Sequence, residues 1–278
     1  MKNYFTSFLA GIRIMKRYKN WLDVILNYLG DNKNIIEVVL RNGIRYKIRT
    51  KAPSTDSGIV QEIWLKNVYQ IEEGDISDNA TVIDIGAHIG IFSIFAANHA
   101  ENVTVYAFEP ESDNYQLLLE NIRINDLENK IHPFNLAVSN SNASKKLIRS
   151  AVSLARHSFF DNKFLNNEQI KDLIEVNCIT LESFFERNKI EKCDILKLDC
   201  EGGEYDILLN TPYKICSKIR RIAMEYHDGV TEYNHEDLEN FLKERNFEVK
   251  TEKSDSSLTV NLGFLYAFNP IFTRGEIT

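Results

Sequence analysis

From Thr81 onward, short apolar runs alternate with stretches of helical period. Thr81–Ile85, Thr104–Phe108, Lys130–Ala137, Asp194–Leu198 and Ile219–Glu225 read as strands. Gly90–Asn98, Ser112–Asn125, Leu181–Asn188 and Glu204–Leu209 carry helical spacing between them. That rhythm predicts an α/β fold, a mostly parallel sheet with helices on both faces. Further on, His235–Arg245 reads as a helix, and "FEVKTEKS" and "LTVNLGFLYAFN" as two strands close enough to pair antiparallel. There is no internal repeat and no low-complexity segment.

The chain before residue 76 is patterned differently. "YFTSFLAGIRIMKRYKNWLDVILNYLG" has aromatic and aliphatic residues at helical spacing, with Arg13, Lys16, Arg17 and Lys19 clustered midway. "IIEVVLRNGIRYKIR" is two β-rich runs joined around Asn42-Gly43, a hairpin signal. "DSGIVQEIWLKNVYQ" returns to a helical period. A helical and hairpin cap is expected over residues 1–75, with the main domain over 76–278 and no Pro- or Ser-rich linker between them. A basic amphipathic stretch at residues 4–30 can lie on anionic lipid or grip a partner, but packing on its own domain is the more usual fate.

Composition narrows the partners. The 278 residues are 44% hydrophobic, enough for a substantial core. A formal net charge of −7 gives no reason to expect nucleic acid as the main partner, although a local basic groove stays open. Cys178, Cys193, Cys200 and Cys216 form neither a CxxC pair nor a regular framework, so reduced thiols and a cytoplasmic location are expected. No apolar run approaches the roughly 20 residues of a membrane span, and no signal-peptide pattern is present. Oligomeric state does not follow from the sequence.

The chemistry begins with "VIDIGAHIGIFSIFA". Asp84 falls at a strand end, and Gly86 and Gly90 bracket the turn into a helix, where backbone can approach a ligand. An ordinary strand-to-helix turn would explain the glycines equally well. The dinucleotide fingerprint GxGxxG is missing, and an acid precedes the loop, which suits a cationic amino acid moiety better than a pyrophosphate. "VYAFEPE" then ends the second strand on Glu109, placed to accept hydrogen bonds from both ribose hydroxyls, although it could also be a surface acid near a helix cap. Loop and acid together favour S-adenosylmethionine over a nicotinamide dinucleotide.

With these motifs the sequence resembles the FkbM-type methyltransferases. "FNLAVSN", "VNCITLESFF", "CDILKLDCEGGEYDIL" and "IAMEYHD" follow in order, and "STDSGIVQEIW" is similar to the segment that precedes the core in that family. "KLDCEGGE" is the most specific, with Gly203 a mild departure from the small residue other than glycine that the family usually has there. The resemblance implies a Rossmann-like class I fold with a seven-stranded sheet. It also implies O-methylation of a sugar, glycan or other small hydroxylated molecule. Asp84, Gly86, Ala87, His88 and Gly90 would then form the cofactor loop, Glu109 would hold the ribose, and Asn135 and Ala137 would meet the adenine edge.

Asp199 would lie beside the transferable methyl, with Glu201 and His227 as further catalytic candidates and Glu225 on the acceptor side. His227 is attractive as a base because its ordinary pKa lies near neutrality. Asp199, Glu201, Glu225 and His227 offer hard donors, but no ligand spacing is diagnostic and no metal is expected. Ser153, Arg156 and His157, in a long segment before Val176, are candidates for acceptor contact; a variable surface excursion is the alternative. A nucleic-acid base methyltransferase would carry an Asn/Asp-Pro-Pro-aromatic turn where this chain reads "DCEGGEY". A non-catalytic cofactor-binding module on the same scaffold and a methyltransferase acting on nitrogen are the remaining alternatives.

Overall fold

The computed structural model describes residues 14, 16–31, 33–72, 74–150, 159, 170–254 and 261–272. The candidates Ser153, Arg156 and His157 lie outside the described residues, as does the stretch before residue 14.

A cap comes first. β1 (Ile35–Val39) and β2 (Arg45–Arg49) form an antiparallel hairpin, and Gly43 in the turn takes φ +95°, a left-handed conformation that glycine adopts freely. Upstream, the helical pattern is interrupted at Tyr18, which bridges Leu40 across the hairpin edge. Asn20 brackets β1, donating to the Glu37 carbonyl at 2.9 Å and accepting from the Val39 N–H at 2.8 Å. Helix Trp21–Leu26 starts only after that clamp. Side-chain capture of a strand edge outweighed helical propensity. A second helix, Asp56–Gln61, runs on into a π-helical turn at Glu62–Lys66.

The main sheet contains β3 (Thr81–Ile85), β4 (Thr104–Phe108) and β5 (Ile131–Phe134). Two short strands, β6 (Ala137–Val138) and β9 (Cys178–Ile179), pair outside it. Between them β7 (Lys145–Ser150) and β8 (Ile170–Val176) make an antiparallel ribbon. The long segment expected before Val176 therefore includes regular structure at its base, held by cross-strand hydrogen bonds. β10 (Cys193–Leu198), β11 (Ile219–Asp228), β12 (Glu248–Lys253) and β13 (Asn261–Phe268) complete the sheet.

Among the described residues the sheet has seven strands, in the order β12-β13-β11-β10-β3-β4-β5. Numbered by appearance within the sheet, that order reads 6-7-5-4-1-2-3, with the last strand antiparallel to its two neighbours. This is the Rossmann-like class I methyltransferase arrangement expected from the sequence. The run predicted as one strand over Lys130–Ala137 divides, because the main-sheet strand stops at Phe134 and Ala137 turns away to pair with Cys178.

Apolar residues on one face of the sheet (Val82, Val105, Ile195) pack with the cap residues Val38, Tyr46, Val60 and Ile63. Ile83, Ile85, Leu196 and Leu198 face the other way, onto helices Leu181–Arg187, Gly203–Leu208 and His235–Lys243. The alternation along β3 and β10 is thus divided between two cores. Asn121, on helix Ser112–Arg123, ties cap to sheet: it accepts from the Lys47 N–H at 2.7 Å and donates to the Ile89 carbonyl at 2.9 Å. Among the described residues no helix is long and apolar enough to cross a membrane.

Candidate active site

β3 lies between β4 and β10, so the loops leaving their carboxyl ends converge above the middle of the sheet. Gly86 opens the first loop at φ +76°, and a Cβ there would stand 1.9 Å from the Asp199 carbonyl oxygen. Only glycine lets these strand ends pass so closely. The N–H groups of Gly86 and Ala87 both donate to the Phe108 carbonyl, at 3.0 and 2.9 Å. His88 and Glu201, in the loops after β3 and β10, sit at φ +53° and +51°, a strained backbone for non-glycine residues of the kind that collects at functional sites.

Gly86, Ala87, His88, Glu109, Ala137 and Asp199 line one cavity, which Glu201 also reaches. Phe108, Leu136 and Val138 supply an apolar wall. Glu109 accepts the His88 N–H at 2.8 Å on one oxygen and the Glu111 N–H at 2.9 Å on the other. Burial pushes its carboxyl up to about 7 against those two donors. An acid beside an apolar slot and a glycine turn fits the ribose, purine and extended chain of S-adenosylmethionine.

Three expected cofactor residues do not reach the cavity. Asp84 is fully buried beneath it, accepting from Ser93 Oγ at 2.6 Å and facing Lys197 Nζ at 3.1 Å. Because side chains alternate along a strand, Asp84 faces away from Ile83 and Ile85 and meets Lys197, its register partner on β10. Gly90, at φ +86°, caps helix Ile91–Ala97, where a Cβ would meet the Leu118 side chain at 2.4 Å. Asn135 donates to the carbonyls of Glu109 and Pro110 at 2.9 and 3.0 Å, which is turn chemistry.

Lys197 opens the motif "KLDCEGGE". It is 3% exposed, donates to the Gly86 carbonyl at 2.8 Å, and lies 3.1 Å from Asp84 and 3.9 Å from Asp199. Burial opposes its charge, but Asp84 and then Asp199 outweigh that and hold its pKa above the usual lysine value. Tyr69, from the cap, donates to Asp199 Oδ2 at 3.0 Å. Burial, and then the charges of Asp199 and Glu225, raise the Tyr69 pKa well above normal, so the hydroxyl keeps its proton.

The cap reaches the cavity by a second route, also absent from the sequence reading. Arg49 pairs with buried Asp56 at 3.0 Å and contacts His88 Nε2 and Asn114 Oδ1, each at 2.8 Å. Asn114 in turn lies 3.4 Å from Glu109 Oε1. Burial holds His88 down at about 4 against the pull of Asp56, so this ring is neutral near pH 7. A buried acid in "STDSG" was the only available signal, because Arg49 and Asn114 are separated by 65 residues.

Beyond Asp199 lies a second, polar pocket, lined by Glu62, Lys66, Gln70, Glu225 and Glu252. Ile59, Ile63, Tyr69 and Asp199 belong to both pockets. Leu198 pairs with Met224, so Asp199 falls beside Glu225, and β11 extends far enough to carry Glu225 and His227 two residues apart on one face. His227 is buried, with Glu204 Oε1 3.2 Å from Nδ1 and Glu201 Oε2 3.5 Å from Nε2. Burial opposes its charge, but Glu201, Glu204 and Glu225 outweigh that and raise its pKa well above neutrality. The surrounding carboxylates favour the protonated ring, which weighs against His227 as a free base. Glu204 orders its own loop, accepting the N–H groups of Cys200 at 2.8 Å and Gly202 at 2.9 Å.

Fold and cavity together define a class I methyltransferase. The model of the methyltransferase FkbM domain matches residues 84–249, and the chain belongs to that family, whose methyl donor is S-adenosylmethionine. One relative, the AMB antimetabolite synthetase AmbE of Pseudomonas aeruginosa, is 27% identical over 69% of this chain, a match spanning only 10% of AmbE. The 31-O-demethyl-FK506 methyltransferase FkbM of Streptomyces tacrolimicus is 22% identical over 59% of this chain and 70% of its own length. A third, the tRNA(Phe) (4-demethylwyosine(37)-C(7)) aminocarboxypropyltransferase of Methanocaldococcus jannaschii, is 30% identical over 48% of this chain and 52% of its own length.

Proposed function

We propose that the protein transfers a methyl group from S-adenosylmethionine to a hydroxyl of a small molecule or glycan bound in the polar pocket. The observation that carries this reading is the position of Asp199 on the wall shared by the two pockets. When bound, the cofactor supplies an electrophilic methyl on a sulfonium. The protein's part is alignment: Tyr69 and Lys197 hold the Asp199 carboxylate in place, and that carboxylate orients the acceptor hydroxyl. Gly86 lets the cofactor loop close on the same point. A relative named for 31-O-methylation supports oxygen as the acceptor atom.

The relative named for tRNA makes nucleic acid the natural competitor. Glu62, Glu225 and Glu252 in the polar pocket disfavour a phosphate backbone, as does the net charge of −7. Calorimetric titration with S-adenosylhomocysteine and with NAD tests the cofactor. Labelled methyl transfer to sugars, polyols and tRNA then tests the acceptor. Binding of the first nucleoside alone, with label on a hydroxyl compound, is expected; label only on tRNA would overturn the acceptor reading.

A further inference from the structure

We propose that Asp199, Glu225 and His227 form a binding site for one divalent cation of the Mg²⁺ or Mn²⁺ class, placed where the acceptor hydroxyl enters. The inference builds on the acceptor reading above and adds a ligand to the same site. One donor atom from each of the three residues lies within 4.8 Å of the other two, close enough for modest side-chain rotation to bring them around an ion. Two strand ends make this arrangement rigid. Asp199 follows β10, and Glu225 and His227 share one face of the adjacent β11. Donors on strands hold geometry better than donors on free loops.

The surroundings call for positive charge. Asp199 and Glu225 bring two carboxylates to the His227 ring, and Lys197 lies closer to Asp84 at 3.1 Å than to Asp199 at 3.9 Å. Among the described residues the Glu225 carboxylate makes no hydrogen bond or ion pair, although it lines the pocket. Tyr69 occupies Asp199 Oδ2 and leaves Oδ1 available.

His227 supplies the independent sign. It is only 4% exposed, and its Nδ1 is the ring nitrogen turned toward Glu204. The buried Glu204 carboxylate, 3.2 Å away, backs that nitrogen, as a carboxylate commonly backs a metal-bound histidine. Two hard oxygens and one imidazole suit Mn²⁺ or Mg²⁺, with remaining positions left for water and an acceptor oxygen. A hydroxyl bound there gives up its proton to water more readily, which addresses the weak nucleophilicity of a neutral alcohol.

The test uses the full chain, freed of metal with a chelator, in three forms: unmodified, Glu225→Gln and His227→Gln. Mn²⁺ is titrated in with S-adenosylhomocysteine present, and free Mn²⁺ is followed by its electron paramagnetic resonance signal. Calorimetry with S-adenosylhomocysteine alone runs in parallel, and circular dichroism checks each fold. One Mn²⁺ per chain, weakened tenfold or more in both variants while nucleoside binding persists, is the expected result. No Mn²⁺ binding by the unmodified chain overturns the metal site and, if the nucleoside still binds, leaves the methyltransferase reading intact. Mn²⁺ binding that neither folded variant weakens overturns it as well, by placing the ion elsewhere. Should one variant fail to fold, the other decides alone; should both, Asp199→Asn replaces them and is judged on Mn²⁺ binding alone.

Discussion

Lys197→Met removes the cation that sits under the candidate active site, and the cost follows from what it leaves behind. Asp84 is 0% exposed, and its remaining side-chain partner is the Ser93 hydroxyl. Methionine fills much of the lysine volume, so the loss is electrostatic rather than a cavity. Breaking one side of a buried ion pair costs about 3–5 kcal/mol, because the surviving charge is left uncompensated. For a chain of this size each kcal/mol moves Tm by about 2–4 °C, so a fall of roughly 6–20 °C is expected. The lost hydrogen bond to the Gly86 carbonyl (2.8 Å) loosens the cofactor loop as well, so affinity for S-adenosylhomocysteine should drop. Thermal melts and urea titrations measure the first effect and calorimetry the second. Adding Asp84→Asn should restore most of the stability, since the unpaired charge is then gone. A single variant costing under about 1 kcal/mol, or a double variant no more stable than the single, would refute the account.

Three further outcomes are expected. Gly86→Ala forces a Cβ to 1.9 Å from the Asp199 carbonyl and a left-handed φ onto alanine. The strain alone is about 1–2 kcal/mol, so a lower urea midpoint and loss of S-adenosylhomocysteine binding should appear together. Glu109→Gln should weaken that binding by about 1–3 kcal/mol in calorimetry, through lost charge-assisted hydrogen bonds to the ribose. With Glu109 pushed up to about 7, affinity should also rise with pH through neutrality as the carboxylate ionises, and the glutamine variant should flatten that rise. For the free protein the sign is opposite: a raised carboxyl pKa stabilises the fold on the acid side, and this contribution is lost as pH rises through about 7. Tyr69→Phe takes the hydroxyl from Asp199 Oδ2, so turnover with an identified acceptor should fall while S-adenosylhomocysteine affinity changes less than threefold.

The sequence by itself determined the alternation of strands and helices, the hairpin at Asn42-Gly43, and the loop acid Glu109. Each is written in a local signal: apolar period, turn residues, or an acid at a strand end. Family membership was legible for the same reason, in contiguous motifs such as "KLDCEGGE". Only the tertiary structure decided which way side chains face and who meets whom. It turned Asp84 beneath the loop onto Lys197, and brought Tyr69 across 130 residues to Asp199. It also joined Arg49 and Asp56 of the cap to His88. The ionisation of His227 belongs to that second group. An isolated imidazole titrates near neutrality, and three glutamates from two separate stretches of chain shift it well above. A one-dimensional pattern records residue type and spacing, whereas charge pairing and desolvation depend on distances that exist only after the strands are laid side by side.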